Sequence, residues 1–140
     1  MHEMRRALAG VRVKDGMVTD FLTLAPGDPL GLAIERLLRG SQQDFPVLED
    51  GRVIGLLTRQ NLIRALAEGR GERTVGEAME PPAAPLETEA PLEDAMRRMN
   101  ENGSRTLPVV REGRLVGLLT AENLSELLTI RNAMSEAAAR

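Results

Sequence analysis

The chain has 140 residues, 42% of them hydrophobic, which is enough to bury one ordinary core. Its 18 Lys and Arg against 21 Asp and Glu give a formal charge of −3, and only two residues, both Phe, are aromatic. This balance argues against nucleic acid as a partner, because phosphate backbones need basic patches and single strands need aromatic stacking platforms. With no Cys and no long apolar run, the sequence excludes disulfides and thiolate metal sites and predicts a cytoplasmic protein without direct membrane insertion.

A short strand and an amphipathic helix are the first elements that the sequence predicts. Residues 21–24 favour a strand, and a second such segment lies at residues 85–87. Apolar residues then recur at helical spacing from Leu30 onward, so the helix is expected to have Asp28 as its N-cap and Pro29 at its first position.

A β-hairpin and a second helix are predicted next. "FPVLEDGRVIGLL" places Asp50 and Gly51 between two runs rich in Val, Ile and Leu, which is a strong hairpin signal. Thr58 follows, where its hydroxyl can cap a helix. Two glycines among charges indicate a linker at residues 69–74, and "TVGE" indicates a capping box. The absence of Gly and Pro from residue 121 to 139 predicts one long helix that includes a tail at residues 131–140.

These elements occur twice, at a constant offset of 62 residues. Residues 45–66 align with residues 107–128, and 11 of the 22 positions are identical, where chance predicts about one. The offset continues upstream, so two repeats, at residues 11–68 and 75–130, fill nearly the whole chain. The second hairpin turns at Glu112 and Gly113, and "GLLTRQNL" returns as "GLLTAENL".

The Thr and Asn of this repeated stretch form a candidate anion site. A helix N-terminus exposes N–H groups that favour phosphate, and a Thr hydroxyl adds a donor. An Asn three residues later lies one turn away, where its amide can bond a sugar hydroxyl, so the pattern suits a ribose phosphate. In the structural alternative, Thr58 and Thr120 only cap helices, while Asn61 and Asn123 only hold the turns.

Order, spacing and duplication together resemble the CBS domain, named for cystathionine β-synthase. "FPVLEDGRVIGLLTRQN" and "LPVVREGRLVGLLTAEN" match its hPVh...G...G-h-h-T/S-x-x-D signature except at the last position, within a resemblance that covers about residues 11–130. The resemblance implies an α/β fold made of a tandem CBS pair, two β-α-β-β-α units with pseudo-twofold symmetry. In this family, two clefts often bind adenosine nucleotides, with the acidic residue on ribose hydroxyls and Thr or Ser near phosphate.

The resemblance also implies two sets of site residues, because each family cleft takes its T-x-x-D element from the opposite unit. The first set is Met17, Val18, Leu22, Gln42, Gln43, Asp44, Thr120 and Asn123. The second set is Thr58, Arg59, Asn61, Met79, Glu80, Ala84, Ser104, Arg105 and Thr106. Asn replaces the acid in both copies and loses a charge-assisted acceptor, so Asn61→Asp is expected to tighten nucleotide binding. Arg59 and Arg105 flank the second set, whereas Glu122 and Asp44 flank the first. The second set is therefore favoured over the first as the binding site for an anion.

The resulting hypothesis is a regulatory module that senses a small anionic metabolite, namely AMP, ADP or ATP. No catalytic residues and no metal ligands are predicted, because a zinc protease motif needs a second His beyond His2, so the chain is not expected to be an enzyme. Leu and Ala on the helix faces predict a homodimer. The alternatives are a ligand-free dimerisation scaffold, or a soluble regulatory segment similar to the CBS pairs of intramembrane zinc metalloproteases. Either role allows a fused or associated enzyme or transporter.

Overall fold

The computed structural model describes residues 8–140, so His2 lies outside the described residues. In chain order the elements are α1 (Val13–Gly16), α2 (Leu30–Arg39), β1 (Phe45–Glu49), β2 (Arg52–Leu57), α3 (Arg59–Ala67), α4 (Val75–Ala78), β3 (Leu86–Glu87), α5 (Leu92–Asn102), β4 (Thr106–Arg111), β5 (Arg114–Thr120) and α6 (Ala121–Ala138). This mixture of helices and strands confirms the predicted α/β class.

The chain divides into two compact units. Unit N comprises Asp20–Ala84 and Glu112–Leu115. Unit C comprises the described residues up to Thr19 together with Pro85–Arg111 and Val116–Arg140. The units therefore differ from the sequence repeats, since residues 11–19 belong to unit C and residues 75–84 belong to unit N.

A two-stranded antiparallel hairpin organises unit N. Phe45 of β1 pairs with Leu57 of β2, and a bulge interrupts the register between Val47 and Leu48. Asp50 and Gly51 have φ of 52° and 78°, so both adopt the left-handed conformation that the tight turn requires and confirm the predicted hairpin. Leu24 bridges Val47 in parallel, and Glu80 bridges Leu56 in antiparallel orientation, so one further segment flanks each strand.

A three-stranded sheet in the order β3-β4-β5 organises unit C. Leu86 of β3 pairs in parallel with Val109 of β4, and Val18 bridges Leu118 of β5 in antiparallel orientation. Glu112 and Gly113, between β4 and β5, have φ of 53° and 78°, which confirms the second predicted turn. Each sheet thus receives an antiparallel bridge from the segment that opens the other sequence repeat.

Two local predictions in the first repeat are wrong. The strand at residues 21–24 is reduced to the bridge at Leu24, because the backbone of Leu22 exchanges hydrogen bonds with the side chain of Gln42 instead of a strand. Helix α2 has Pro29 as its N-cap, because the Asp28 carboxylate accepts from the Ala25 N–H at 2.8 Å and closes the preceding turn.

The remaining predicted helix starts are confirmed. Thr58 and Thr120 accept from the third backbone N–H of α3 and α6, at 3.0 and 3.1 Å. Thr74 and Glu77 form the predicted capping box at α4, and the hydrogen bonds from the Thr74 backbone and side chain lower the pKa of the Glu77 carboxyl. Helix α6 runs without interruption to Ala138. Within the described residues, none of the helices combines the length and apolar composition needed to cross a bilayer.

The core of unit N lies between the hairpin and its helices. Its buried side chains come from both strands, from α2, α3 and α4, and from the bridge before α2: Leu24, Leu30, Ala33, Phe45, Val47, Leu57, Leu62, Ala65 and Val75. Only Thr58 separates β2 from α3, so the helix begins where the strand ends.

Candidate functional site

The N-terminus of α3 brings together part of the second predicted set within unit N. Thr58 follows β2 directly and caps the helix with its hydroxyl oxygen. The Asn61 side chain, one turn later, donates from Nδ2 to Glu80 Oε1 at 2.9 Å. Glu80 in turn exchanges two backbone hydrogen bonds with Leu56, at 2.9 and 3.0 Å. A hydroxyl, an amide and a carboxylate therefore lie at the junction between β2 and α3.

Asp44 lies at the same helix N-terminus. Its Oδ1 accepts from the Arg59 N–H at 3.1 Å, which places a carboxylate on the first backbone donor of α3. The Gln42 amide holds this loop by donating to the carbonyl oxygens of Leu22 and Asp44, both at 2.9 Å. Thus Leu22, Gln42 and Asp44 of the first set lie together in unit N, and Asp44 contacts a residue of the second set.

The N-terminus of α6 gathers four residues of the first set within unit C, namely Met17, Val18, Thr120 and Asn123, whereas Gln43 belongs to unit N. Thr120 caps the helix, and Asn123 Nδ2 donates to the Gly16 carbonyl oxygen at 2.7 Å. Val18 exchanges backbone hydrogen bonds with Leu118 at 2.7 and 2.9 Å, as Glu80 does with Leu56. Met17 precedes Val18 and packs over Gly117.

Ser104, Arg105 and Thr106 of the second set also belong to unit C, whereas Met79 and Ala84 belong to unit N. The Arg105 carbonyl oxygen accepts from the Ala121 N–H at 2.8 Å. The Arg105 guanidinium pairs with the Glu122 carboxylate, and this hydrogen bond lowers the pKa of the Glu122 carboxyl. The two side chains are 63% and 60% exposed, so the pair adds little stability.

Sequence reasoning missed the reason for the glycine in "GLLT". A Cβ added to Gly55 would lie 2.3 Å from Met79 Sδ, and one added to Gly117 would lie 2.6 Å from Met17 Sδ. Each glycine therefore leaves room for a Met side chain that crosses the strand. The available signal was a glycine inside a strand at the same register in both repeats, together with Met at positions 17 and 79.

The sequence pattern of the CBS domain matches this chain twice, at residues 11–68 and 75–130. Protein MJ1225 of Methanocaldococcus jannaschii is 34% identical over 131 residues, which are 91% of this chain and 46% of that protein. The CBS domain-containing protein YhcV of Bacillus subtilis is 31% identical over 115 residues, 81% of this chain and 82% of YhcV. The chain thus spans about half of the first relative and most of the second.

Solved structures share the fold. The CBS domain pair of protein MJ0100, in complex with 5′-methylthioadenosine and S-adenosyl-L-methionine, has a TM-score of 0.78 at 23% identity, over 85% of this chain and 96% of that one. CBSX2 in complex with AMP has a TM-score of 0.74 at 28% identity, over 87% of this chain and 99% of that one. Two matched segments that cover most of the sequence, with the same fold in these structures, show that the chain belongs to the CBS domain family as a tandem pair.

Proposed function

We propose that this CBS pair is a regulatory module that binds an adenine nucleotide (AMP, ADP or ATP) and is not itself an enzyme. The observation that carries the proposal is the junction of β2 and α3, where Thr58, Asn61 and Glu80 lie together within unit N. CBSX2, which is 28% identical to this chain, binds AMP in its crystal structure, and this supports an adenine nucleotide as the ligand.

The junction offers separate groups for phosphate and for sugar. The partial positive charge at the N-terminus of α3 favours an anion, and the Asp44 carboxylate accepts from its first N–H, that of Arg59. The Thr58 hydroxyl can donate to a phosphate beside it, while its oxygen accepts from the Asn61 N–H. The Arg59 side chain adds a full positive charge next to the cap. Asn61 and Glu80 present amide and carboxylate oxygens that can accept from sugar hydroxyls. Phosphate and sugar recognition therefore use side chains one helical turn apart.

A thermal-shift screen with AMP, ADP, ATP and S-adenosylmethionine tests this function. A ligand that binds only the native state raises Tm by mass action, by the equivalent of about 2.7 kcal/mol at 100 times Kd. We expect a rise with at least one adenine nucleotide, and we expect Thr58→Ala to lose most of it. Thr74→Ala removes a comparable helix cap, worth about 1 kcal/mol, and serves as the matched control that keeps the ligand response. Flat responses at millimolar nucleotide would instead favour the ligand-free scaffold.

We also propose a homodimer that uses the exposed apolar side chains of α3 and α6. Ile63 and Leu66 of α3 are each 42% exposed, while Ile130 and Met134 of α6 are 50% and 64% exposed. Apolar side chains of this size favour association when they lie on one helix face. Light scattering at micromolar concentration is expected to give about twice the 15.3 kDa of one chain, and Ile130→Glu with Met134→Glu is expected to lower that mass. A wild-type monomer would contradict the proposal.

A regulatory module needs a target, and we propose a fused or associated enzyme or transporter. The chain covers 46% of protein MJ1225, so the aligned segment occurs in that relative beside further sequence. Similarity to the CBS pairs of intramembrane zinc metalloproteases stays a prediction. Co-purification with the products of neighbouring genes, with and without nucleotide, tests for such a target.

A further inference from the structure

The two Thr-x-x-Asn stretches differ in the partner of the asparagine. In unit N, Asn61 Nδ2 donates to the side-chain carboxylate of Glu80 at 2.9 Å. In unit C, Asn123 Nδ2 donates to the backbone carbonyl of Gly16 at 2.7 Å, and the position that matches Glu80 holds Val18. A carboxylate therefore accompanies only the asparagine of unit N.

Hydrogen bonds hold both the backbone and the side chain of Glu80 in place. Its backbone forms two hydrogen bonds with Leu56, two residues before the Thr58 cap. Its side chain is exposed to solvent, and the bond from Asn61 orients it. A carboxylate has about four acceptor sites, so this one bond leaves capacity for further donors. Glu80 thus presents an oriented anionic acceptor beside the N-terminus of α3.

We propose that Glu80, oriented by Asn61, accepts hydrogen bonds from the two neighbouring hydroxyls of a ribose and makes the site at α3 selective for ribonucleotides over 2′-deoxyribonucleotides. The inference rests on the proposed nucleotide binding. Two adjacent hydroxyl donors match the two oxygens of one carboxylate, and charge-assisted hydrogen bonds are stronger than neutral ones. In this arrangement Asn61 is a positioning residue, whereas Glu80 contacts the ligand. The asparagine of unit C has no such carboxylate, so that unit lacks this source of selectivity.

Calorimetric titration with AMP and 2′-deoxy-AMP tests the role of Glu80. A hydrogen bond to a charged group is worth about tenfold to a hundredfold in Kd, so wild type is expected to prefer AMP by that factor. Glu80→Gln removes the charge from the acceptor of both ribose hydroxyls, so it is expected to weaken AMP binding by about tenfold or more. Binding of 2′-deoxy-AMP, which has only the 3′-hydroxyl, is expected to weaken less, so the preference for AMP falls. Glu72→Gln removes one carboxylate from an exposed linker position and is the matched control, expected to behave as wild type.

A variant that exchanges the carboxylate and the amide between positions 61 and 80 tests whether binding needs a carboxylate at position 80 or only one carboxylate in this pair. Asn61→Asp alone places a second carboxylate within hydrogen-bond distance of Glu80. Under this proposal we expect Kd to rise, in contrast to the tighter binding that the family resemblance implies. Asn61→Asp combined with Glu80→Gln exchanges the two groups and retains one donor and one acceptor. We expect its AMP affinity to return to within about threefold of wild type.

Two outcomes would overturn the inference, and they are distinguishable. If wild type binds AMP but Glu80→Gln keeps both its affinity and its preference for AMP, Glu80 does not contact the ribose and the proposed function survives. If wild type binds neither nucleotide, the proposed function fails and this inference fails with it. Circular dichroism of each variant shows whether the fold is retained.

Discussion

Phe45→Ala is expected to lower the free energy of unfolding by about 4 kcal/mol, because it leaves a cavity in the core of unit N. Phe45 is 1% exposed and lies opposite Leu57, which is fully buried at 0%. It is the largest fully buried side chain among the described residues. Since an ordinary domain is stable by only about 5–15 kcal/mol, this single truncation removes a large fraction of the total.

Urea unfolding followed by circular dichroism measures this loss. Phe45→Leu copies Leu107, which occupies the matching position of the second repeat, and is expected to cost only about 1–2 kcal/mol because Leu refills most of the volume. Phe21→Ala removes the other aromatic ring from a half-buried position and is the matched control, with a smaller loss than Phe45→Ala. A cost below about 1 kcal/mol for Phe45→Ala would contradict the assigned core.

Features that depend on neighbouring residues could be predicted from the sequence. The turn at Asp50 and Gly51 follows from residues that tolerate positive φ, and the Thr58 cap follows from a hydroxyl placed before an apolar helical pattern. The strand predicted at residues 21–24 failed because a distant polar side chain competed with the backbone. Gln42 takes the hydrogen bonds that a strand at Leu22 would have made, and no local pattern reveals that competition.

The site shows the same division between local and distant interactions. The repeat predicted that Thr58 and Asn61 lie at a helix start, because a short stretch contains both. It did not predict the bond from Asn61 to Glu80, which are 19 residues apart and meet because Glu80 pairs with Leu56. Duplication even conceals this contact, since the second copy has Val18 at the matching position. The family resemblance thus placed Glu80 in the same predicted set as Asn61, but the sequence motif did not predict the hydrogen bond between them.

Gly55→Ala is expected to lower the free energy of unfolding by about 3 kcal/mol, at the upper end of the usual cost of overpacking. Its Cβ would lie 2.3 Å from Met79 Sδ and 3.0 Å from the Glu80 carbonyl oxygen. The Met79 side chain can rotate away. The Glu80 carbonyl cannot move freely, because it accepts from the Leu56 N–H at 3.0 Å. The added methyl group therefore strains the backbone pairing that positions Glu80.

The same urea unfolding assay tests this prediction, with Gly31→Ala as the matched control. Gly31 is an exposed residue of α2 whose added Cβ would meet no atom within 4 Å, so alanine there is expected to stabilise the protein by up to about 1 kcal/mol. Met79→Ala should relieve part of the clash, so the double variant with Gly55→Ala should cost less than the sum of the two single changes. Additive costs would mean that Met79 does not require the glycine. A double-variant cost below that sum would mean that Gly55 leaves room for Met79. The glycine of "GLLT" would then allow the segment containing Met79 and Glu80 to pair with β2, next to the Thr58 cap.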